Sequence, residues 1–339
     1  MVTPHRIALV LGGGNALGSY QAGVYQALHE RGVEPDWVIG TSVGAVNGAL
    51  IAGNAVQDRV AQLSAFWQPG KEQASVDWWP SSNETVRRTS AAITTIVSGR
   101  SGLFNALGPL GSWWGSDAEA MPSLYDSRPL AATLERLANF DRLNAEGPRF
   151  TACAVDLESG AERMFDSERE RITPDHIRAS AALLPTFPPI AINGRLMVDG
   201  GLSANLPLDP VLEEICAVPT LCIAVDLVPL AAAKPSTLGE AAGRAQELIF
   251  AAQSRRTIDR WINAYAYDPR FASNSITLVR LTYADQIHEV VAKGMDFSPE
   301  SVRYRWVAGH REATIMLNRL HGNDNIGQAG LTVSGDLSA

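Results

Sequence analysis

Val38-Ile39-Gly40-Thr41-Ser42-Val43-Gly44-Ala45 is an apolar run that breaks into Gly-x-Ser-x-Gly and continues through small residues, Ala45, Ala49 and Ala52. The run reads as a buried strand and the alanines as a closely packed helix. The turn between them is tight, so the positions two before and two after the serine must be small. This is the pattern of a nucleophile elbow. It holds the Ser42 hydroxyl at the carboxyl end of the strand, in front of a helix N-terminus that favours developing negative charge. A plain glycine-flanked turn is the other reading of these five residues; the strand–turn–helix context favours the elbow.

Upstream, Ile7-Ala8-Leu9-Val10-Leu11 reads as a second buried strand. Gly12-Gly13-Gly14-Asn15-Ala16-Leu17-Gly18 follows, and then a helix from about Ser19 to Arg31 that stops at Gly32. The first 55 residues are therefore strand, Gly-rich loop, helix, strand, elbow and helix, a βαβ unit with a parallel sheet. Three glycines after a strand let backbone N–H groups turn toward an anion, either a phosphate or the oxyanion of a tetrahedral intermediate. Gly12, Gly14 and Gly18 form a loose dinucleotide pattern with Asp36 as its ribose-binding acid. That acid belongs at the end of the second strand, and Asp36 stands at its start, which weakens the nucleotide reading. The loop lacks the Gly-Lys-Ser/Thr of a P-loop.

Downstream, Trp78-Trp79 and Trp113-Trp114 sit among Gly, Ser and Pro in an insertion at about 70–127 with little strand character. Arg128–Leu143 reads as an amphipathic helix, Phe150–Val155 as a strand with Arg163–Phe165 as antiparallel partner, and Asp175–Leu184 as a helix. Ile190–Val198 is a hairpin turning at Asn193-Gly194 and ending at Asp199-Gly200-Gly201. Leu221–Val228 and Ser275–Leu281 read as strands, Glu240–Ala266 and Ser298–Leu320 as long helices, and 322–339 as a disordered tail. Arg255-Arg256 and the arginines at 303 and 305 read as solvated helix faces.

With 46% hydrophobic and 19% charged residues, the 339-residue chain has globular composition and ample core. A net charge of −8 excludes a nucleic-acid footprint and opposes whole-surface attraction to anionic lipid. Cys153, Cys216 and Cys222 lack metal-ligand spacing and read as free thiols in a reducing compartment. No secretory signal is legible, and no segment reaches the ~18 apolar residues that span a bilayer. The expectation is a cytoplasmic protein without metal or cofactor. Peripheral contact at the inner membrane surface and oligomeric state stay open.

A serine nucleophile needs a base. His5, His29, His176, His288, His310 and His321 each read as solvated side chains at strand, helix or tail borders. Asp199, ending an apolar strand before two glycines, can instead accept the Ser42 proton directly, given a dry site that keeps it basic. Taken alone, Asp199 also reads as an Asx-turn residue.

Together these stretches resemble the patatin-like phospholipases, and in particular a bacterial branch with a C-terminal helical extension. They are Gly13-Gly14-Asn15-Ala16-Leu17-Gly18, Gly40-Thr41-Ser42-Val43-Gly44 and Asp199-Gly200-Gly201. The resemblance covers about residues 5–230, with 231–321 as a helical extension packed on that domain. It implies an α/β class, three-layer α/β/α fold with a mainly parallel sheet. It implies Ser42 as nucleophile, Asp199 as base, and the amides of Gly13, Gly14 and Asn15 as oxyanion hole. Asn15 stands where the family usually has a third glycine, though Asn tolerates positive φ. Leu17 stands where many members carry a cation. The implied activity is hydrolysis of a carboxylic ester in a lipid. Two alternatives stand beside it: an esterase or thioesterase on soluble acyl or polyester substrates, and a non-catalytic ligand-binding member. For the tryptophan stretch, a lid or membrane anchor stands against packing over the core or a dimer contact.

Overall fold

The computed structural model describes residues 6–68, 83–108, 121, 123–284, 286, 289–290, 292–320 and 328–334. Both tryptophan pairs, and His5, His288 and His321, lie outside them. The strands are β1 (Arg6–Leu11), β2 (Trp37–Thr41), β3 (Gly99–Arg100), β4 (Phe104–Ala106), β5 (Tyr125–Asp126), β6 (Arg149–Asp156), β7 (Glu162–Asp166), β8 (Ile190–Ile192), β9 (Arg195–Asp199), β10 (Thr220–Asp226), β11 (Ser275–Thr282) and β12 (Gly330–Ser334). The helices are α1 (Ser19–Glu30), α2 (Val43–Ala52), α3 (Arg59–Trp67), α4 (Glu84–Ser98), α5 (Arg128–Leu137), α6 (Phe140–Ala145), α7 (Pro174–Ser180), α8 (Asp209–Glu213), α9 (Leu238–Tyr267) and α10 (Pro299–Leu320).

Nine strands form the main sheet in the order β12-β11-β10-β1-β2-β6-β9-β8, with β7 also on β6. The run from β12 to β6 is parallel; β7, β9 and β8 pair antiparallel. Strand alternation divides the apolar residues between the two faces. Leu9, Leu11, Ile223 and Val225 join the core under α1, α2, α3 and α10, while Ala8, Val10, Cys222 and Ala224 join a second core under α8 and α9. The result is a three-layer α/β/α protein with a mainly parallel sheet.

Four expectations need correction. The single helix Arg128–Leu143 is two, α5 and α6, because Ala138 is extended and the Asn139 side chain caps α6 by accepting from Asp141 and Arg142 amides. The insertion at 70–127, read as having little strand character, carries three short strands forming a separate sheet beside α4. The tail is not wholly without structure: Gly330–Ser334 pairs parallel with β11, where Leu331 and Val333 pack on the second core. Arg305 is not solvated but has no exposed surface, whereas Arg255 and Arg256 are exposed as expected.

Residues 231–321 are also more than helices laid on a finished domain, since β11 continues the parallel sheet beside β10. α10 seats against α1 at two glycines. A Cβ at Gly23 would lie 1.9 Å from the Trp306 carbonyl oxygen, and one at Gly309 would lie 2.1 Å from that of Tyr20. Only glycine permits that approach.

Candidate active site

The sheet register brings the elbow and the aspartate together. Thr41, the last residue of β2, pairs with Cys153, and Asp199, the last of β9, pairs with the next residue along β6, Ala154. Ser42 is thereby set beside the Asp199 carboxylate, close enough to act on its charge. Ser42 has φ 57° and ψ −123°, outside helical and strand geometry. Such strain persists only where the surroundings enforce it. Here a Cβ on Gly40 would lie 2.3 Å from the Gly44 carbonyl carbon, and one on Gly44 would lie 2.1 Å from the Leu11 carbonyl oxygen. Strand and helix thus touch backbone to backbone. The Ser42 amide donates to Ser180 Oγ at 3.0 Å, and Ser180 Oγ donates to the Cys153 carbonyl at 2.6 Å, anchoring the elbow to α7 and β6.

Asp199 is buried. Burial pushes its carboxyl up to about 7, against the Gly201 amide and the Ser42 hydroxyl, which pull it down. The Gly201 amide donates to Asp199 Oδ1 at 2.7 Å. The two glycines are steric requirements, since a Cβ on Gly200 would lie 2.4 Å from the Cys153 carbonyl oxygen and one on Gly201 3.0 Å from Asp199 Oδ1. The Asx-turn and the base readings of Asp199 are thus compatible: Oδ1 caps the turn while the same carboxylate stands beside Ser42.

Among the three amides expected to face an oxyanion, Gly13 differs. Its N–H donates to the Asn205 carbonyl at 3.0 Å, because the loop is tied there to the turn after Asp199. The amides of Gly14 and Asn15 have no protein acceptor among the described residues. Gly13 contributes clearance instead: a Cβ there would lie 2.6 Å from Asn205 Oδ1 and 3.2 Å from Ser42 Cβ. Asn15 adopts φ 50°, the left-handed region its side chain tolerates, and its Nδ2 donates to Met295 Sδ at 3.3 Å. Gly18 lets the loop close on α2 and α3, where a Cβ would meet Val43 at 2.5 Å and Trp67 at 2.9 Å. Leu17 is buried, and the cation held against this loop is Arg305, whose Nη1 donates to the Ala16 carbonyl.

Several supports had no sequence signature. Gln21 Nε2 donates to the Gly12 carbonyl at 2.7 Å, Asn47 Nδ2 to Gly18 O and Gln21 Oε1 at 2.9 Å each, and Trp67 Nε1 to Asn47 Oδ1 at 2.9 Å. Gln253, midway along α9, accepts from the Asn205 amide at 2.9 Å and donates to the Gly201 carbonyl at 3.2 Å. Buried Asn47 one turn into the alanine-rich helix was the available hint; Gln253 offered none.

Ser42, Asp199, Gly14 and Asn15 are among the residues that line a cavity of about 330 Å³ whose walls include Phe66, Trp67, Phe104, Phe187 and Phe297. The remaining lining includes Glu247, Lys293 and Met295 from the C-terminal region. The histidines with described positions stand elsewhere. His29 pairs with Glu34 and His310 with Glu30. His176, expected in solvent, is buried: it closes a capping box with Thr173 and packs edge-on to Phe165, 4.6 Å between centroids. Asp36 accepts from the Ile7 amide at the opposite end of β1 from the loop. Among the described residues no group of His, Cys, Asp or Glu is arranged to hold a metal ion, and no helix is long and apolar enough to cross a membrane.

A family model described as patatin-like phospholipase matches residues 9–212, and another, described as patatin phospholipase, matches 246–325. The chain belongs to the patatin-like phospholipase family. Patatin-like phospholipase domain-containing protein 7 of Mus musculus is 30% identical over 212 residues, 62% of this chain and 13% of that protein. Lysophospholipase NTE1 of Candida glabrata is 24% identical over 290 residues, 83% of this chain and 13% of that protein. The chain thus spans 13% of the length of these two relatives. The solved structure of VipD from Legionella pneumophila aligns with a TM-score of 0.45 at 16% identity, over 93% of this chain and 67% of that one.

Proposed function

We propose that this chain is a serine hydrolase of carboxylic esters in lipids, working through a Ser42–Asp199 dyad. The observation that carries the reading is that the register of three neighbouring strands sets Ser42, on a strained elbow, beside the buried Asp199 carboxylate in the lining of an aromatic-walled cavity. Asp199 takes the Ser42 proton as Oγ attacks the ester carbonyl. The tetrahedral oxyanion is stabilised by the Gly14 and Asn15 amides, each donor of this kind typically being worth about 3 kcal/mol of barrier. The C–O bond then breaks, Asp199-H gives its proton to the departing alkoxide, and Ser42 is left acylated. Water, deprotonated by Asp199, attacks the acyl-enzyme, releases the fatty acid and returns the proton to Ser42. The aromatic walls suit an acyl chain, and a relative named lysophospholipase supports a lysophospholipid as substrate class. Peripheral contact with lipid at the inner face of the membrane belongs to the same proposal.

The test is hydrolysis of a p-nitrophenyl ester and of a lysophospholipid by wild type, Ser42→Ala and Asp199→Asn. Each substitution is expected to abolish turnover of both while leaving the circular dichroism spectrum unchanged. Turnover retained in either variant overturns the dyad. Fluorophosphonate labelling of wild type alone separates an activated serine from a non-catalytic ligand-binding member. A lysophospholipid rate that steps up above the critical micelle concentration supports lipid-surface contact; a rate confined to short soluble esters favours the esterase alternative.

A further inference from the structure

In the 3-10 turn Asn15–Gly18 the Ala16 carbonyl accepts from the Ser19 hydroxyl at 3.3 Å and from Arg305, 289 residues on, whose Nη1 donates to it at 3.1 Å. The same guanidinium donates to the carbonyls of Asp296 at 2.8 Å and Lys293 at 3.2 Å. It pairs in fork fashion with Glu289, Nε to Oε1 at 2.7 Å and Nη2 to Oε2 at 2.6 Å. The Asp296 carboxylate lies 3.9 Å away, and its oxygens are occupied by Ser298 and Ser301. Arg305 has no exposed surface and the Glu289 side chain is 2% exposed. Burial alone would raise the Glu289 carboxyl, but the Arg305 bonds hold it below its ordinary value.

Of the carbonyls gathered by Arg305, that of Ala16 belongs to the candidate oxyanion loop and those of Lys293 and Asp296 to the segment packed against it. Lys293–Met295 is a 3-10 turn lying over that loop. A Cβ on Gly294 would stand 3.9 Å from both Asn15 Cβ and the Gly14 carbonyl oxygen. Met295 is the partner of the Asn15 side chain. One rigid, planar cation therefore sets the spacing between the turn that carries the Asn15 amide and the turn that packs against it. A buried ion pair is weak evidence of stability, because apolar residues of similar volume often serve as well. What the guanidinium adds is fixed geometry across several acceptors. Amides that stabilise an oxyanion need that geometry, since small misplacements cost large factors in rate.

We infer that Arg305 is a positioning residue for the Gly14 and Asn15 amides, so that the C-terminal region completes the hydrolytic site. The inference rests on the hydrolase reading above. Its test uses the full chain, kcat being normalised to active sites titrated with a fluorophosphonate. Arg305→Met combined with Glu289→Gln removes both charges, so that neither is left buried alone. Arg305→Lys is the second variant, retaining charge and reach but not the fork. The double variant is expected to lose about 100-fold in normalised kcat at little-changed KM, the loss typical of one oxyanion donor. Arg305→Lys is expected to lose about 10-fold, part of the positioning being kept. Affinity for a trifluoromethyl ketone, which forms the oxyanion, should fall in parallel with kcat, while affinity for a non-reactive ether analogue should not. A folded variant with normalised kcat within about threefold of wild type, or a loss that vanishes on normalisation, overturns the positioning role. Should the double variant not fold, unchanged kcat in Arg305→Lys is sufficient to overturn it. Wild type without esterase activity, or an active Ser42→Ala, overturns the hydrolase reading and this inference together; an active wild type with unchanged Arg305 variants overturns this inference alone.

Discussion

Asp199 is a carboxylate held where burial opposes its charge, and its carboxyl is raised to about 7. Two outcomes follow for pH. As the proposed base it must be ionised, so kcat/KM is expected to rise with pH and level off above a midpoint near 7, measured on a soluble p-nitrophenyl ester. A flat profile between pH 6 and about 8 would exclude Asp199 as the titrating base. For stability the sign is opposite. The folded protein binds this proton more tightly than the unfolded chain does. The contribution is therefore complete below the unfolded value of about 3.9 and is lost as pH rises through about 7. Asp199→Asn should consequently melt at higher temperature than wild type at pH ~8, by a margin worth on the order of a few kcal/mol, and the margin should shrink toward zero near pH ~4. Thermal melts of both proteins across that range check it.

At the scale of elements, the elbow helix is held to its neighbours by polar atoms rather than by apolar contact alone. Asn47 on α2 accepts from Trp67 on α3 and donates to Gly18 and Gln21, and Gln21 reaches the Gly12 carbonyl. These groups are buried, so a missing partner leaves unsatisfied atoms. Asn47→Ala is expected to destabilise by about 2–4 kcal/mol, three buried groups losing a partner. It should also lower kcat, because the Gly-rich loop loses its tie to α2. Trp67→Phe removes the indole donor from the same chain of bonds. The double variant should therefore lose less stability than the two single losses added together, measured by denaturant unfolding. Strict additivity would show that the bonds act independently.

For the molecule as a whole, the site is assembled from both ends of the chain. β10, buried along its whole length, lies between β1 and β11, and α1 receives α10 at the Gly23 and Gly309 contacts. Removing everything after Leu230 would bare the edge of β10 and the face of α1 at once, an aggregation-prone combination. We expect the truncated chain to be insoluble or unfolded, scored by size-exclusion chromatography and circular dichroism. A soluble, cooperatively melting fragment would show that residues 6–230 form a domain that stands alone.

The sequence by itself determined the βαβ start, the elbow, the hairpin leading to Asp199 and the need for glycine at 40, 44, 200 and 201. These are local properties: strand length, turn geometry and the room a Cβ needs are settled within a few residues. In the sequence the histidines stand at strand, helix or tail borders, and that reading turned the search for a base to the aspartate. Tertiary structure alone decided which amides remain free, because the Gly13 N–H is taken by Asn205, 192 positions away. It also decided that Arg305, by sequence one more arginine on a basic helix, is fully buried under the Gly-rich loop. Burial and hydrogen-bond partners come from what packs on a residue, and neither periodicity nor composition encodes a partner separated by most of the chain.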